Sequence, residues 1–520
     1  MNGAQALIRA LVARGVDVCF MNPGTSEMHF VAALDQVPEM RGVLALFEGV
    51  ATGAADGYGR MAERPAATLL HLGPGLGNGV ANLHNARRAH TPVVNIVGDH
   101  ATYHKVYDAQ LESDIDAVAS NVSPGFVRRT RRPDDLVADA LDAVAAAIGP
   151  PGQVATLILP ADVSWSEATI TTAARRGAAP APAVDEARVE QAAKVLRSGE
   201  PVGLFVGGRV VREPSLTQLG AVAAATGARL LCETFPARLE RGAGRVPVER
   251  LGYLAEFAAV QLDGLAHLVL VDAASPVSFF AYPGKASDLV PEGCTVHTLA
   301  GPGDNAPGAL TALVDLLGVG PDDAVRQPAA RPETPSGELT AQTVCAALGA
   351  LLPEGAIVSD EGNTSGLFAA GATAGAPPHD WLCLTGGAIG QGLPVAVGAA
   401  VACPDRPVIA FESDGSALYT LQSWWTMASE GLDVTTILLN NGSYAVLNME
   451  LDRVGAEASG PRARRMLRLE PPALDFVALA NGMGVPASRA TTADELVDQL
   501  GRALATPGPT VVEAVVPSII

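Results

Sequence analysis

The sequence predicts an α/β architecture of three doubly wound domains, each a parallel sheet covered on both faces by helices. Three observations carry this. Short apolar runs alternate with helix-length segments along nearly all 520 residues, the pattern of strands joined by crossover helices. Two stretches rich in Ala and Pro, 166–186 and 325–338, interrupt that pattern, and the length itself suggests about three domains. Hydrophobic residues make up 48% of the chain but aromatics only 4%, and 55 residues are glycine, so helices and strands should approach one another closely.

The first domain, residues 1–165, opens with an amphipathic helix leading into an apolar strand at 16–20, with further strands expected at 42–47, 66–72, 93–97 and 154–159. An exposed linker is expected at 166–186. The middle domain, 187–324, has apolar runs at 202–206, 229–232, 267–271 and 295–299. A second linker covers 325–338, and the third domain runs from 339 to 520. The first and third domains echo each other. The stretch 48–61, Arg64-Pro65, an apolar strand and His71-Leu72-Gly73-Pro74-Gly75 match in order the stretch 387–402, Arg406-Pro407, an apolar strand and Ser413-Asp414-Gly415-Ser416.

Composition excludes several function classes. A formal net charge of −20 leaves no basic face for nucleic acid. The amino terminus lacks the charged segment and long apolar core of a signal peptide, and every apolar stretch is interrupted before it could span a bilayer. No membrane contact and a cytoplasmic location are therefore expected. The six cysteines are scattered without a Cys-x-x-Cys pair, which suits core thiols rather than a zinc site or a disulfide framework. There is no Walker A lysine, no complete G-x-G-x-x-G and no G-x-S-x-G, which argues against a nicotinamide dehydrogenase or a serine hydrolase.

The chemistry concentrates at strand ends. The apolar run 408–411 ends in Asp414-Gly415-Ser416, and a second run, 434–439, ends in Asn440-Asn441-Gly442-Ser443, with a crossover helix expected at 418–430. Parallel neighbours finish at the same sheet edge, where doubly wound sheets bind ligands, so Asp414 and Asn441 can face one another across 27 positions. A carboxylate, an amide oxygen and a backbone carbonyl suit Mg²⁺, and the N–H groups of Gly415 and Ser416 at a helix start suit an anion. The inferred site is a Mg-diphosphate site. An ordinary strand-turn-helix unit with Asp-Gly and Asn-Gly turns is the plainer reading of the same residues.

Asp-Gly-Ser followed at this distance by Asn-Asn-Gly-Ser resembles the thiamine diphosphate signature of acetolactate synthase, benzoylformate decarboxylase and pyruvate decarboxylase, with Ser413 where the first glycine is usual. The resemblance implies pyrimidine-binding, middle and diphosphate-binding domains in that order. It implies that Asp414, Asn441 and the Ser443 carbonyl hold Mg²⁺, and that Gly415 and Ser416 face the diphosphate together with Asn363 and Thr364, which lie in the loop 360–366 expected at a helix start after the strand 356–359. It makes Gly387 the carbonyl that accepts from the cofactor's 4′-amino group, and Ile389 the wedge between its two rings. An apolar strand that ends abruptly in Glu48 carries the glutamate that shares a proton with the aminopyrimidine; the alternative is a helix-start carboxylate favoured by the dipole. A dimer at minimum is also implied, with the cofactor between two subunits.

Two loops of the first domain face substrate in this resemblance. Asn22-Pro23-Gly24-Thr25-Ser26-Glu27 is similar to the Asn-Pro-Gly-Ser loop of benzoylformate decarboxylase, which places the Thr25 hydroxyl at substrate. His71 with Gly73-Pro74-Gly75 combines the histidine of that decarboxylase with the Gly-Pro-Gly of acetolactate synthase, and makes His71 a proton donor or an orienting group. His100 and His104 stand where Gly-Gln is usual, and the decarboxylase's second histidine has no counterpart in 275–284. The implied activity is a 2-oxo acid decarboxylase/carboligase of the acetolactate synthase-like type, working through a C2 ylide and a carbanion-enamine. A benzoylformate-type decarboxylase that releases an aldehyde, and a catalytically silent relative, are the alternatives. The middle domain offers only Val206-Gly207-Gly208-Arg209 toward a dinucleotide, so FAD is not expected.

Overall fold

A computed structural model describes residues 1–168, 182–455 and 460–518; most of the expected linker 166–186 lies outside these residues. The first sheet contains β1 (Val18–Asn22), β2 (Arg41–Leu44), β3 (Ala66–Leu70), β4 (Val93–Asp99), β5 (Val127–Arg129) and β6 (Val154–Pro160). They are parallel throughout, in the order β2-β1-β3-β4-β6-β5. Six strands follow: β7 (Val202–Val206), β8 (Arg229–Cys232), β9 (Leu239–Arg241), β10 (Glu249–Arg250), β11 (His267–Val271) and β12 (Thr295–Ala300). Five of them form the second sheet, β10-β8-β7-β11-β12. The last group is β13 (Ile357–Glu361), β14 (His379–Leu382), β15 (Val408–Ser413), β16 (Val434–Asn440), β17 (Ala487–Ala490) and β18 (Thr510–Val515).

The third sheet runs β17-β18-β16-β15-β13-β14-β9. Numbered from its own first strand, β14 to β17 repeats the first sheet's 2-1-3-4-6-5 order, so the echo in the sequence is an echo in topology. The difference is β9, which leaves the middle part of the chain and pairs antiparallel with β14, Leu239 opposite Trp381. The linker 325–338 has no helix or strand of its own, yet its Gln327 and Ala330 N–H groups donate to the Arg245 and Gly375 carbonyls.

Two expected elements differ in extent. The strand expected at 42–47 stops at Leu44, because the chain must turn to begin the helix Glu48–Ala62. The helix expected at 418–430 begins only at Gln422, and a separate helical turn, Asp414–Ala417, precedes it.

The first and third units share one continuous apolar core, in which Val50, Ala54 and Tyr58 join Leu393, Val397 and Trp424. The seam is the helix Glu48–Ala62 packed on Gly392–Ala402, both rich in Gly and Ala. A Cβ on Gly57 would lie 2.1 Å from the Val395 carbonyl oxygen, and one on Gly398 would lie 1.9 Å from that of Ala54. Small residues here let backbones touch. Among the described residues no helix is long and apolar enough to cross a membrane.

Candidate active site

Each of the three sheets reverses its strand order at an inner strand, and ligands of such sheets bind beyond the strand ends at such a point. In the first sheet the reversal lies between β1 and β3. After β1 the chain makes the turn Thr25–Glu27, whose Glu27 side chain is fully buried. Its Oε2 accepts from the Gly24 N–H at 2.7 Å and pairs with His71 Nδ1 at 2.8 Å. Burial raises the Glu27 carboxyl above its ordinary range, and the His71 charge opposes that shift. The pair needs bare backbone around it: a Cβ on Gly24 would strike the His71 ring and one on Gly98 would strike Glu27 Oε1. Thr25 opens the turn and is exposed. His71 follows β3 and caps the start of the helix Leu72–Arg88.

Glu48 is the first residue of its helix and is 8% exposed. Its Oε2 accepts from Asn78 Nδ2 at 3.0 Å. Gly75 lies between the two groups, since a Cβ there would be 3.0 Å from Glu48 Oε1 and 3.4 Å from the His71 Cβ. Glu48 and His71 thus both lie against Gly75. His100 and His104, on the loop after β4, pack with ring centroids 5.3 Å apart, and His100 Nε2 is buried without a hydrogen-bond partner.

In the third sheet the reversal lies between β13 and β15. Asp414, 1% exposed, follows β15 and ties the two neighbouring strand ends together. Oδ1 accepts from the Gly415 N–H at 2.8 Å, and Oδ2 accepts from Asn441 N–H at 3.1 Å and Gly442 N–H at 2.7 Å. Burial pushes the carboxyl up to about 6 against those hydrogen bonds. Among the described residues no Lys, Arg or His pairs with it. Asn441 donates its side-chain N–H to Ser365 Oγ at 3.2 Å and accepts from the Ser443 N–H at 3.0 Å. Ser413 is extended at φ −97°, an ordinary conformation, so the missing glycine costs nothing here.

The loop bearing Gly387 and Ile389 is bolted from two sides. From the first unit, Asn82 Nδ2 donates to the Gly390 carbonyl at 3.2 Å and Asn85 Nδ2 to the Ala388 carbonyl at 2.8 Å. From β13, the Glu361 carboxylate accepts from the Gly390 and Gly392 N–H groups at 2.8 and 2.6 Å. Gly387 adopts φ +73°, and Ile389 is half-buried. Burial lifts Glu361 to about 7, and burial with the Glu361 charge lifts its neighbour Glu412 well above the carboxylate range.

One expectation is corrected. Asn363 and Thr364 do not open a helix: the segment after β13 is a series of turns, Asn363 sits at φ +45°, and a helix begins only at Ala369. Glycines at 362 and 366, packed on each other and on Phe411, keep the chain turning instead. Sequence reasoning also missed Glu27, Asn78, Ser365, Glu361 and Glu412. Glu27 stands two residues after Thr25 in a loop already singled out; Glu361 and Glu412 face each other only through the β13–β15 register.

Two cofactor fits can be tested. Among the described residues no group of three or more His, Cys, Asp or Glu could hold a metal. Mg²⁺ is satisfied with one or two carboxylates plus neutral oxygens and phosphate, and Asp414, buried without a cation, fits that demand. The middle sheet does not fit a dinucleotide. At its reversal between β7 and β11, Asp272 Oδ2 accepts from the Arg209 N–H at 2.7 Å, and Glu233 accepts from the Gly208 N–H. Cβ atoms on Gly207 and Gly208 would meet those same carboxylates at 2.7 and 2.3 Å. The N–H groups a diphosphate would need are already taken by acids.

Three doubly wound sheets, parallel except at β9, with the first and last alike, are the architecture the thiamine diphosphate resemblance implies. Family models agree: "Thiamine pyrophosphate enzyme, N-terminal TPP binding domain" matches residues 1–120 and the corresponding C-terminal TPP binding domain matches 360–514. The chain is 61% identical, over the full length of both proteins, to the "Putative acetolactate synthase large subunit IlvX" of Mycobacterium tuberculosis. It is 30% identical to benzoylformate decarboxylase of Pseudomonas aeruginosa over 96% of each chain. The solved 4-hydroxybenzoylformate decarboxylase of Rhodococcus jostii RHA1 shares the fold at TM-score 0.87 with 23% identity, over 99% of each chain. The chain belongs to the thiamine pyrophosphate enzyme family, among the acetolactate synthase and benzoylformate decarboxylase relatives.

Proposed function

We propose that this enzyme decarboxylates a 2-oxo acid with thiamine diphosphate and Mg²⁺ and joins the remaining two-electron carbon to a second carbonyl, as the name of its acetolactate synthase relative suggests. The observation that carries the reading is Asp414, a buried carboxylate without a cationic partner at the end of β15, held by three backbone N–H groups. When bound, thiamine diphosphate would supply a thiazolium ring whose deprotonated C2 adds to the ketone and which takes up the electron pair left behind as CO₂ departs. Asp414, the Asn441 side-chain oxygen and the Ser443 carbonyl offer Mg²⁺ hard oxygen donors. Gly415, Ser416, Asn363 and Thr364 face the diphosphate.

On the other side, Glu48 holds a proton against the pyrimidine ring nitrogen while Asn78 fixes its second oxygen. The Gly387 carbonyl would accept from the ring amine, and Ile389 would lie against the two rings. Glu27 fixes His71 through Nδ1, which leaves Nε2 to exchange a proton with substrate, and Thr25 contributes a hydroxyl. FAD has no place at the middle sheet, whose turn N–H groups are occupied by Glu233 and Asp272. The enzyme acts as a homo-oligomer, a dimer at least, in the cytoplasm, on small 2-oxo acids and without nucleic acid or membrane partners.

The Glu27–His71 pair favours a second reading, in which a proton rather than a carbonyl ends the reaction and an aldehyde leaves, as in benzoylformate decarboxylase. One assay addresses both: CO₂ release from a panel of aliphatic and aromatic 2-oxo acids with Mg²⁺ and thiamine diphosphate, followed by product analysis. Glu48→Gln is expected to lose at least about 100-fold in turnover and in exchange of the cofactor's C2 proton while still binding the cofactor. A variant as fast as wild type overturns the role of Glu48, and a wild type that releases no CO₂ supports the silent relative.

A further inference from the structure

Asn85, on the helix Leu72–Arg88, is fully buried and uses its carboxamide as a second backbone. Its Oδ1 accepts from the Ala388 N–H at 3.2 Å, and its Nδ2 donates to the Ala388 carbonyl at 2.8 Å. An N–H can only donate and a carbonyl can only accept, so these two bonds fix which end of the amide is oxygen. The other Nδ2 hydrogen goes to Asn82 Oδ1 at 3.0 Å. Asn82 in turn donates to the Gly49 carbonyl at 2.8 Å and the Gly390 carbonyl at 3.2 Å. The two side chains together join the residue after Glu48 to the loop 387–390. The fit depends on bare backbone: a Cβ on Gly386 would lie 2.4 Å from Asn85 Oδ1, and one on Gly387 would lie 2.4 Å from Phe279 Cζ.

The Gly387 carbonyl and the Ala388 N–H belong to one planar trans peptide, in which the two bonds point in opposite directions. An N–H held toward Asn85 therefore turns the Gly387 carbonyl away from the helix that carries Asn85. Glycine adopts the φ of +73° at this position without strain, and the same freedom lets the peptide plane turn over unless a group outside the backbone holds it. We propose that Asn85 is a positioning residue that holds this peptide and so aims the Gly387 carbonyl at the cofactor's ring amine. The inference rests on the thiamine diphosphate reading above. Asn85 acts through Ala388, and Asn82 keeps the Asn85 amide from rotating.

The ring amine is the group this aim serves, so two ligands are compared. Calorimetry in Mg²⁺ measures binding of thiamine diphosphate and of its analogue with hydrogen in place of the 4′-amino group, for wild type, Asn85→Ala and Asn85→Asp. The melting temperature of each cofactor-free protein is read alongside. Wild type should prefer the amine by at least about fivefold, the worth of one hydrogen bond to a carbonyl otherwise unpaired. Asn85→Ala should bind the two ligands within about twofold of each other, whereas Asn85→Asp keeps an oxygen for the Ala388 N–H and should keep a preference for the amine. If Asn85→Ala does not fold, Asn82→Ala, which frees the Asn85 amide to rotate, is read in the same way and should show a reduced preference. Loosened packing alone would lower the melting temperature and weaken both ligands equally; that result, or a variant with the wild-type preference in place of the expected loss, overturns the aiming role. Loss of the preference in Asn85→Asp to the same extent as in Asn85→Ala overturns it too. A wild type that binds both ligands equally overturns the Gly387 assignment and the inference with it, and one that binds neither overturns the cofactor reading.

Discussion

At the scale of single residues, the strand-end acids carry the clearest consequences. Asp414 has a folded pKa raised from 3.8 to about 6, so its favourable contribution to the cofactor-free fold is present in acid and lost as the pH rises through about 6. The shift corresponds to about 3 kcal/mol of strain on the empty site at neutral pH. A divalent cation relieves it by taking the ionised form and displacing the proton. Mg²⁺ with thiamine diphosphate should therefore raise the melting temperature more at about pH 7.5 than at about pH 5, and Asp414→Asn should lose most of that increment; equal increments at both pH values would rule the explanation out. Asp414 and Asn441 could be paired from the sequence because two apolar runs each ended in a polar turn. Glu27 could not be assigned a partner, since His71 lies 44 positions away and meets it only at the β1–β3 crest. The helix start expected at Asn363 is absent because Gly362 and Gly366 allow the chain to keep turning.

Among elements, the Gly- and Ala-rich helices matter more than their length. Gly398 has no room for a methyl group: the clash is with the Ala54 carbonyl and the Tyr58 N–H, both backbone atoms that cannot rotate away. Gly398→Ala should destabilise the protein by about 1–3 kcal/mol in a chemical melt. Gly501, in the helix Ala493–Ala505, has nothing within 4 Å of a Cβ, so Gly501→Ala should stabilise by about 0.5–1 kcal/mol. A reversal of those signs would mean that the seam is looser than its backbone contacts indicate. The low aromatic content announced such close packing, and the alternation of strands and helices announced the sheets. What the sequence did not reveal was strand order, because hydrophobic runs of similar length carry no label for their neighbours.

For the molecule as a whole, Arg60 joins all three units. It pairs with Asp56 in its own helix, both side chains no more than 1% exposed, and donates to the Ala237 and Cys383 carbonyls and to Gln391. Arg60→Ala strands the Asp56 charge and should cost about 3–5 kcal/mol in equilibrium unfolding, whereas removing both charges together should cost less. The repeated 2-1-3-4-6-5 topology was visible in outline as an ordered echo of motifs, but β9 was not, because three residues of an edge strand leave almost no pattern. That strand bears on how such a protein could be assembled over evolutionary time. A gene cut at the Pro-rich breaks and rejoined to a foreign middle segment would strip the last sheet of its edge and leave β14 open to pairing between molecules. Recombination can exchange the middle of this protein only if the incoming piece brings a matching strand.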